Sequence, residues 1–149
     1  MADSIVHDAP ALAREILAAI DGQDLARTSA LLEDSFVLYY QGIPDPIPKA
    51  MLLEMLGSYY EAFPDMRHDV LEVLPSGSFV TVRLMLHATH RGTYEGIPAT
   101  GREVAVGAIH ILRISSGRIA EWWAAEDDLG LLRQIGAVIG PPVDNQLDC

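Results

Sequence analysis

Lysine is almost missing from this chain. Lys49 is the only one in 149 residues, and ten basic residues stand against 21 acids, a formal net charge of -11. Nucleic-acid backbones are gripped by clustered Lys and Arg, and anionic membrane surfaces attract the same residues. The composition therefore excludes both as partners and leaves a small, near-neutral molecule or a second copy of the chain. Cysteine is equally scarce. Cys149, the last residue, is alone, so no internal disulfide can form. That fits a cytoplasmic setting, and a thiol at this position reads as frayed and exposed rather than nucleophilic. No apolar run reaches the roughly 18 residues of a membrane-crossing helix. The opening MADSIVHD carries two acids and no basic stretch, unlike a secretory signal.

Several chemistries lack their residues as well. Gly92, Gly96 and Gly101 fall between two strand-like segments, as turn residues rather than a phosphate loop entering a helix. No nucleophile-elbow pattern occurs. His87 and His90 are three apart and face opposite sides of a regular strand, so no cluster has metal-ligand spacing.

What is present is a chain with 50% hydrophobic residues, enough for one folded domain of the usual size of about 100–200 residues. Its first third reads as helical. Asp8 and Pro10 signal a start, Leu12, Ile16 and Ile20 recur at helical spacing, and Gly22 ends the run. Asp24 can cap a second helix carrying Leu25, Ser29 and Leu32. Residues 36–40 (FVLYY) predict a short strand, and GIPDPIP, with three prolines, predicts a loop. A third helix is expected over 49–63, with Met51, Met55, Tyr59 and Phe63 on one face and Pro64 ending it.

The period then changes from helical to alternating. Residues 79–90 and 103–114 are strand-like over 12 residues each, roughly 40 Å if extended, so they must curve or bulge, for example at Gly107. A third strand is expected over 118–125, and a last helix, LGLLRQIG, is capped by Asp127 or Asp128. Helices followed by a meander define an α+β domain, a curved antiparallel sheet with N-terminal helices covering a central pocket.

Such a pocket holds an apolar ligand through a few polar groups. On the middle strand, 104, 106, 108, 110, 112 and 114 share a face, and His110 is its only polar member. It suits proton transfer, or packs as a core histidine. A three-residue loop at Ser115–Gly117 would pair His110 with Trp122, diagonal to Ala124; a two-residue turn would bring Trp123 there. Trp122 and Trp123 could line the pocket or pack between sheet and helix. Among Glu126, Asp127 and Asp128, one carboxylate could be catalytic, or the acids complement a helix N-terminus. Arg83 could orient a ligand oxygen, or pair with an acid on the outer face. Tyr40 and Tyr59 each belong to an adjacent tyrosine pair of which one member faces inward.

The strings AFPD (62–65), THRG (89–92), GIPATG (96–101), HILRI (110–114), GRIAEWW (117–123) and GLLRQIG (130–136) resemble the SnoaL-like polyketide cyclase family, part of the nuclear-transport-factor-2-like superfamily. The resemblance runs over about 10–137 within a single domain, 1–149, and leaves 138–149 as a flexible tail. It implies a cone-shaped α+β fold, homodimers packed through the outer sheet face, and a cofactor-free, metal-free enzyme acting on a small hydrophobic carbonyl compound. The family's reaction is an intramolecular aldol ring closure, with an aspartate as acid/base and a strand histidine assisting. His110 matches that histidine. The aspartate's position falls on Ala124, which cannot carry a proton, and Asp127 matches a second acidic position. The implied site is thus His110 and Asp127 as catalytic residues, with Tyr40, Tyr59, Phe63, Arg83 and Trp122 around the substrate. Isomerisation, dehydration, hydroxylation or epoxide hydrolysis on the same scaffold, or ligand binding without turnover, are the alternatives.

Overall fold

A computed structural model describes residues 3–138 and 140, with side chains from Ala9 onward. Cys149 and nearly all of the expected tail lie outside the described residues. Along the chain come α1 (Asp3–Asp21), α2 (Leu25–Leu31), β1 (Leu32–Tyr40), β2 (Ile47–Pro48), α3 (Lys49–Ala62), β3 (Arg67–Ser76), β4 (Phe79–Thr89), β5 (Glu103–Ser115), β6 (Arg118–Glu126) and α4 (Asp128–Gln134). The architecture is the expected α+β one: a curved, six-stranded open sheet with helices across its concave side. Among the described residues, no helix is long and apolar enough to cross a membrane.

The sheet order is β2-β1-β6-β5-β4-β3. It is mixed rather than wholly antiparallel, because β1 runs parallel to β6, with Leu38 opposite Trp122 and Tyr40 opposite Ala124. Alternation sets the two faces. On β4, Val80, Val82, Leu84, Leu86 and Ala88 are buried, and on β5 so are Val104, Val106, Ala108, His110, Leu112 and Ile114. Against this inner face α1 lays Leu12, Ala13, Ile16 and Ile20, all buried. Each fully buried aliphatic side chain contributes roughly 1.5–3 kcal/mol.

Several local expectations change. Helix α1 begins at Asp3 and carries Pro10 inside it. Leu32 leaves the second helix to open β1. Within the proline-rich segment, Ile47 and Pro48 pair with Leu38 and Val37 as an edge strand, a place where proline's missing N–H costs no ladder bond. On α3 the buried stripe is Leu52 and Leu56, while Met51 is 48% exposed. The whole of β3 was unexpected. It is an edge strand whose residues are exposed or only half-buried, so it lacks the clean alternation that reveals a strand. Gly107 stays in register between Met85 on one side and the Asp127 N–H on the other. The bend is made elsewhere.

That bend fixes the site. Ser115 pairs with Arg118 across a two-residue turn, Ser116-Gly117, with φ of 51° and 76°, the type I′ geometry that suits a twisted hairpin. The register then shifts between Arg113 and Ile114: Ile114 faces Ile119 but Arg113 faces Glu121, leaving Ala120 as an extra residue. Arg113 Nε donates to Glu121 Oε1 at 2.7 Å just past the shift. Turn and bulge together place His110 opposite Ala124 and Leu112 opposite Trp122, so neither sequence-based register holds.

Candidate active site

His110 points inward because β5 alternates, and it is 3% exposed. Its Nε2 lies 3.0 Å from Glu126 Oε1. Ala124 directly opposite is too short to reach the imidazole. Glu126 sits two residues further along the same face of β6, and its longer side chain spans the diagonal. Trp122, on that face too, meets the imidazole edge-on at 5.3 Å. Two buried polar atoms here have no hydrogen-bond partner among the described residues, His110 Nδ1 and Trp122 Nε1. Such groups are costly to leave unpaired, and both belong to residues lining the same cavity. Nε2 is engaged by Glu126, and the indole N–H is a donor.

Tyr40 closes the other side. Its hydroxyl is 3.1 Å from Glu126 Oε2 and 2.8 Å from Asp128 Oδ1, and its single proton serves one of them at a time. Its neighbour Tyr39 faces outward, stacked on Trp123 at 5.4 Å. Tyr59, from α3, shares a hydroxyl–hydroxyl contact of 3.2 Å with Tyr94. The cavity beneath is about 80 Å³, walled largely by apolar side chains such as Leu38, Leu52, Leu56 and Leu86. Tyr40, Met55 and Tyr59 also border a wider outer hollow of about 550 Å³ that includes Glu95 and Asp128. The mouth is thus acidic and the interior apolar.

The charges inside follow from these contacts. Burial works against ionised Glu126, yet the bond from His110, the nearby His110 and His68 charges and the Tyr40 hydroxyl outweigh it. They hold its carboxyl below the usual range. Asp128 moves the other way, raised by burial and then by the negative Glu126, Asp127 and Glu95, against the lowering effect of its Tyr40 bond. Tyr40 and Tyr59 are both pushed upward, chiefly by burial, and remain neutral donors.

Of the residues singled out from sequence, the structure brings His110, Trp122, Tyr40 and Tyr59 to one cavity. Asp127 is elsewhere: it is the N-cap of α4, its side chain accepting from the Gly130 N–H at 2.9 Å. Arg83 lies on the outer face and pairs with Glu72 at 2.8 Å, which corrects its placement around the substrate. Phe63 is buried behind the cavity, packed between Tyr59 and His90. Of the three acids weighed from sequence, Glu126 rather than Asp127 is the pocket carboxylate. Period two along β6 groups 122, 124 and 126 on one face and sends 127 to the other, a signal available once Trp122 is turned inward. Among the described residues, no group of three or more His, Cys, Asp or Glu could hold a metal ion.

A curved sheet with helices across its concave side is the fold of the small α+β cavity domains of the nuclear-transport-factor-2-like type. Within it, the chain belongs to the SnoaL-like polyketide cyclase family, whose model matches residues 11–135. It is 37% identical to aklanonic acid methyl ester cyclase DnrD of Streptomyces peucetius over 76 residues, 50% of this chain and 52% of that one. To nogalonic acid methyl ester cyclase of Streptomyces nogalater it is 31% identical over 72 residues, 48% of this chain and 54% of that one. The matches thus span about half the length of these curated relatives. Among solved structures, AclR of Streptomyces galilaeus superposes with a TM-score of 0.82 at 25% identity, over 90% of this chain and 99% of that one. IdmH of Streptomyces antibioticus does so with 0.78 at 25% identity, over 86% and 99%.

Proposed function

We propose that the protein is a cofactor-free acid/base enzyme that closes a ring in a neutral, polyketide-derived carbonyl compound by an intramolecular aldol step. One observation carries this reading: the His110–Glu126 pair, 3.0 Å apart, is buried in a cavity whose other walls are largely apolar. Glu126 takes the place of the acid missing at Ala124. Ionised at neutral pH, it removes the proton from a carbon flanked by carbonyls, and the C–H electron pair moves into an enolate whose oxygen the Trp122 indole N–H can bind. The enolate carbon attacks a second carbonyl of the same molecule, the C–C bond forms, and the displaced π pair rests on oxygen, which takes up a proton. The product is an isomer of the substrate. Glu126 hands its proton outward through Tyr40 to Asp128, whose raised pKa suits it to accept.

The inner cavity holds only the reacting end of a polycyclic substrate; the bulk rests in the outer hollow. The acids there, Glu95 and Asp128, disfavour an anionic ligand, and the named cyclases among the relatives act on methyl esters rather than free acids. The protein works in the cytoplasm as a homodimer. Support for the pairing is the apolar outer sheet face, where Tyr39, Phe79, Ile109 and Ile111 are 38–50% exposed, more than an isolated surface residue explains.

Aklanonic acid methyl ester and nogalonic acid methyl ester are the probes. The wild type should convert at least one, and Glu126→Gln should lose about 100-fold or more in kcat/KM. Conversion of neither, or full activity in the variant, overturns the reading. Binding of both without product would support a ligand-binding domain instead, the alternative that Ala124 favours.

A further inference from the structure

The cavity has a second histidine–carboxylate pair that the scheme above leaves idle. Helix α1 ends on Asp21 with no basic residue in its last turn, and a negative charge there sits at the unfavourable end of the helix dipole. Its compensation comes from β3. Asp21 Oδ2 accepts the His68 backbone N–H at 2.9 Å and Oδ1 lies 2.6 Å from His68 Nδ1, so one carboxylate fixes both the backbone and the ring. The His68 side chain is 7% exposed, and the residue lines the same cavity as His110 and Glu126. Here Nε2 has no hydrogen-bond partner among the described residues, and it is absent from the buried unpaired atoms that include His110 Nδ1. It therefore keeps some exposure, on a residue that lines the hollow.

We infer that the His68–Asp21 pair is the second proton-transfer group of this cavity: His68 Nε2–H binds the acceptor carbonyl and gives its proton to the alkoxide that forms there. This rests on the aldol reading above and completes its proton balance. Glu126 gains the proton lost from carbon; His68, its Nδ1 held 2.6 Å from Asp21 Oδ1, supplies the one gained by oxygen. Solvent then reprotonates His68 while Glu126 empties through Tyr40. Asp21, which touches no substrate atom, is a positioning residue that keeps Nδ1 protonated and aims Nε2 inward.

The test separates the two transfers. Aklanonic acid methyl ester is incubated in deuterium oxide, and NMR follows both exchange of the acidic carbon-bound hydrogen and ring closure. Glu126→Gln should lose both. His68→Gln should lose ring closure by about 100-fold while exchange falls by less than about tenfold, because Glu126 still forms the enolate. Asp21→Asn keeps an acceptor for the backbone N–H but removes the charge. It should slow closure by about tenfold and shift the alkaline limb of the closure profile downward, a change that mere loosening of α1 would not produce. Closure within threefold of wild type in a folded His68→Gln, or equal loss of exchange and closure, overturns the role of His68. If His68→Gln fails to fold, Asp21→Asn with an unmoved pH profile overturns it. A wild type that neither exchanges nor closes the probe sinks the aldol reading itself, and the dyad with it.

Discussion

Tyr40 holds one proton between two carboxylates. Its bond to Glu126 helps keep that carboxyl low, and its bond to Asp128 is the proposed exit for the abstracted proton. Tyr40→Phe should therefore do two things at once. kcat should fall about tenfold, and the acid limb of kcat/KM should move upward, toward the ordinary glutamate value of about 4.3. A profile unchanged in position would separate Tyr40 from Glu126. Glu126 also ties stability to pH. Its folded-state pKa lies below the unfolded one, so its contribution is complete above about pH 4.3 and disappears as pH falls through the lower folded value. Glu126→Gln should flatten the acid side of the stability curve, measured by urea unfolding from pH 7 to pH 3. An equally steep decline in the variant would place the effect on other carboxylates.

At the scale of elements, the β5–β6 hairpin decides which side chains meet. Ser116-Gly117 and Ala120 together set the register, and a one-residue slip moves every later side chain to the opposite face. Deleting Ala120 removes the extra residue but leaves Ile114 opposite Ile119 and Arg113 opposite Glu121, so Trp122 and Glu126 should stay inward and only the local bend should be lost. The thermal midpoint should drop by about 3 °C, about 1 kcal/mol, and activity should fall by about tenfold. Complete loss of activity in a folded deletion variant would refute this account. The hairpin also shows where sequence is legible. The inward faces of β4 and β5 could be read in advance because each alternates over more than ten residues under a helix layer. His110 followed from that parity, whereas Trp122 or Trp123 hung on the turn. The register did not, since a bulge at Ala120 leaves no mark of its own: alanine is neither a glycine nor a proline. Strand β3 was hidden because an edge strand with little burial has no apolar period, and Asp21–His68 joins residues 47 apart in sequence, beyond any local pattern.

Over the whole molecule, apolar surface and charge are divided between faces. The inner side of the sheet is covered by helices, while the outer side keeps Ile109 50% and Ile111 38% exposed on a chain of net charge -11. In the proposed pairing through this face, the wild type should sediment as a dimer and Ile109→Glu as a monomer at micromolar concentration, with turnover per chain within about twofold because Ile109 faces away from the cavity. An unaltered sedimentation coefficient would assign the pairing to another surface. The parallel seam between β1 and β6 has a further consequence. Tyr40 and Glu126 are 86 positions apart and meet only because an early strand lies beside a late one. During synthesis, then, the ribosome releases α1, α3 and most of the meander before Tyr40 and His110 have their shared carboxylate partner. A nascent chain halted before β6 would have walls without Trp122 or Glu126, and the cavity would be complete only when the last strand docks.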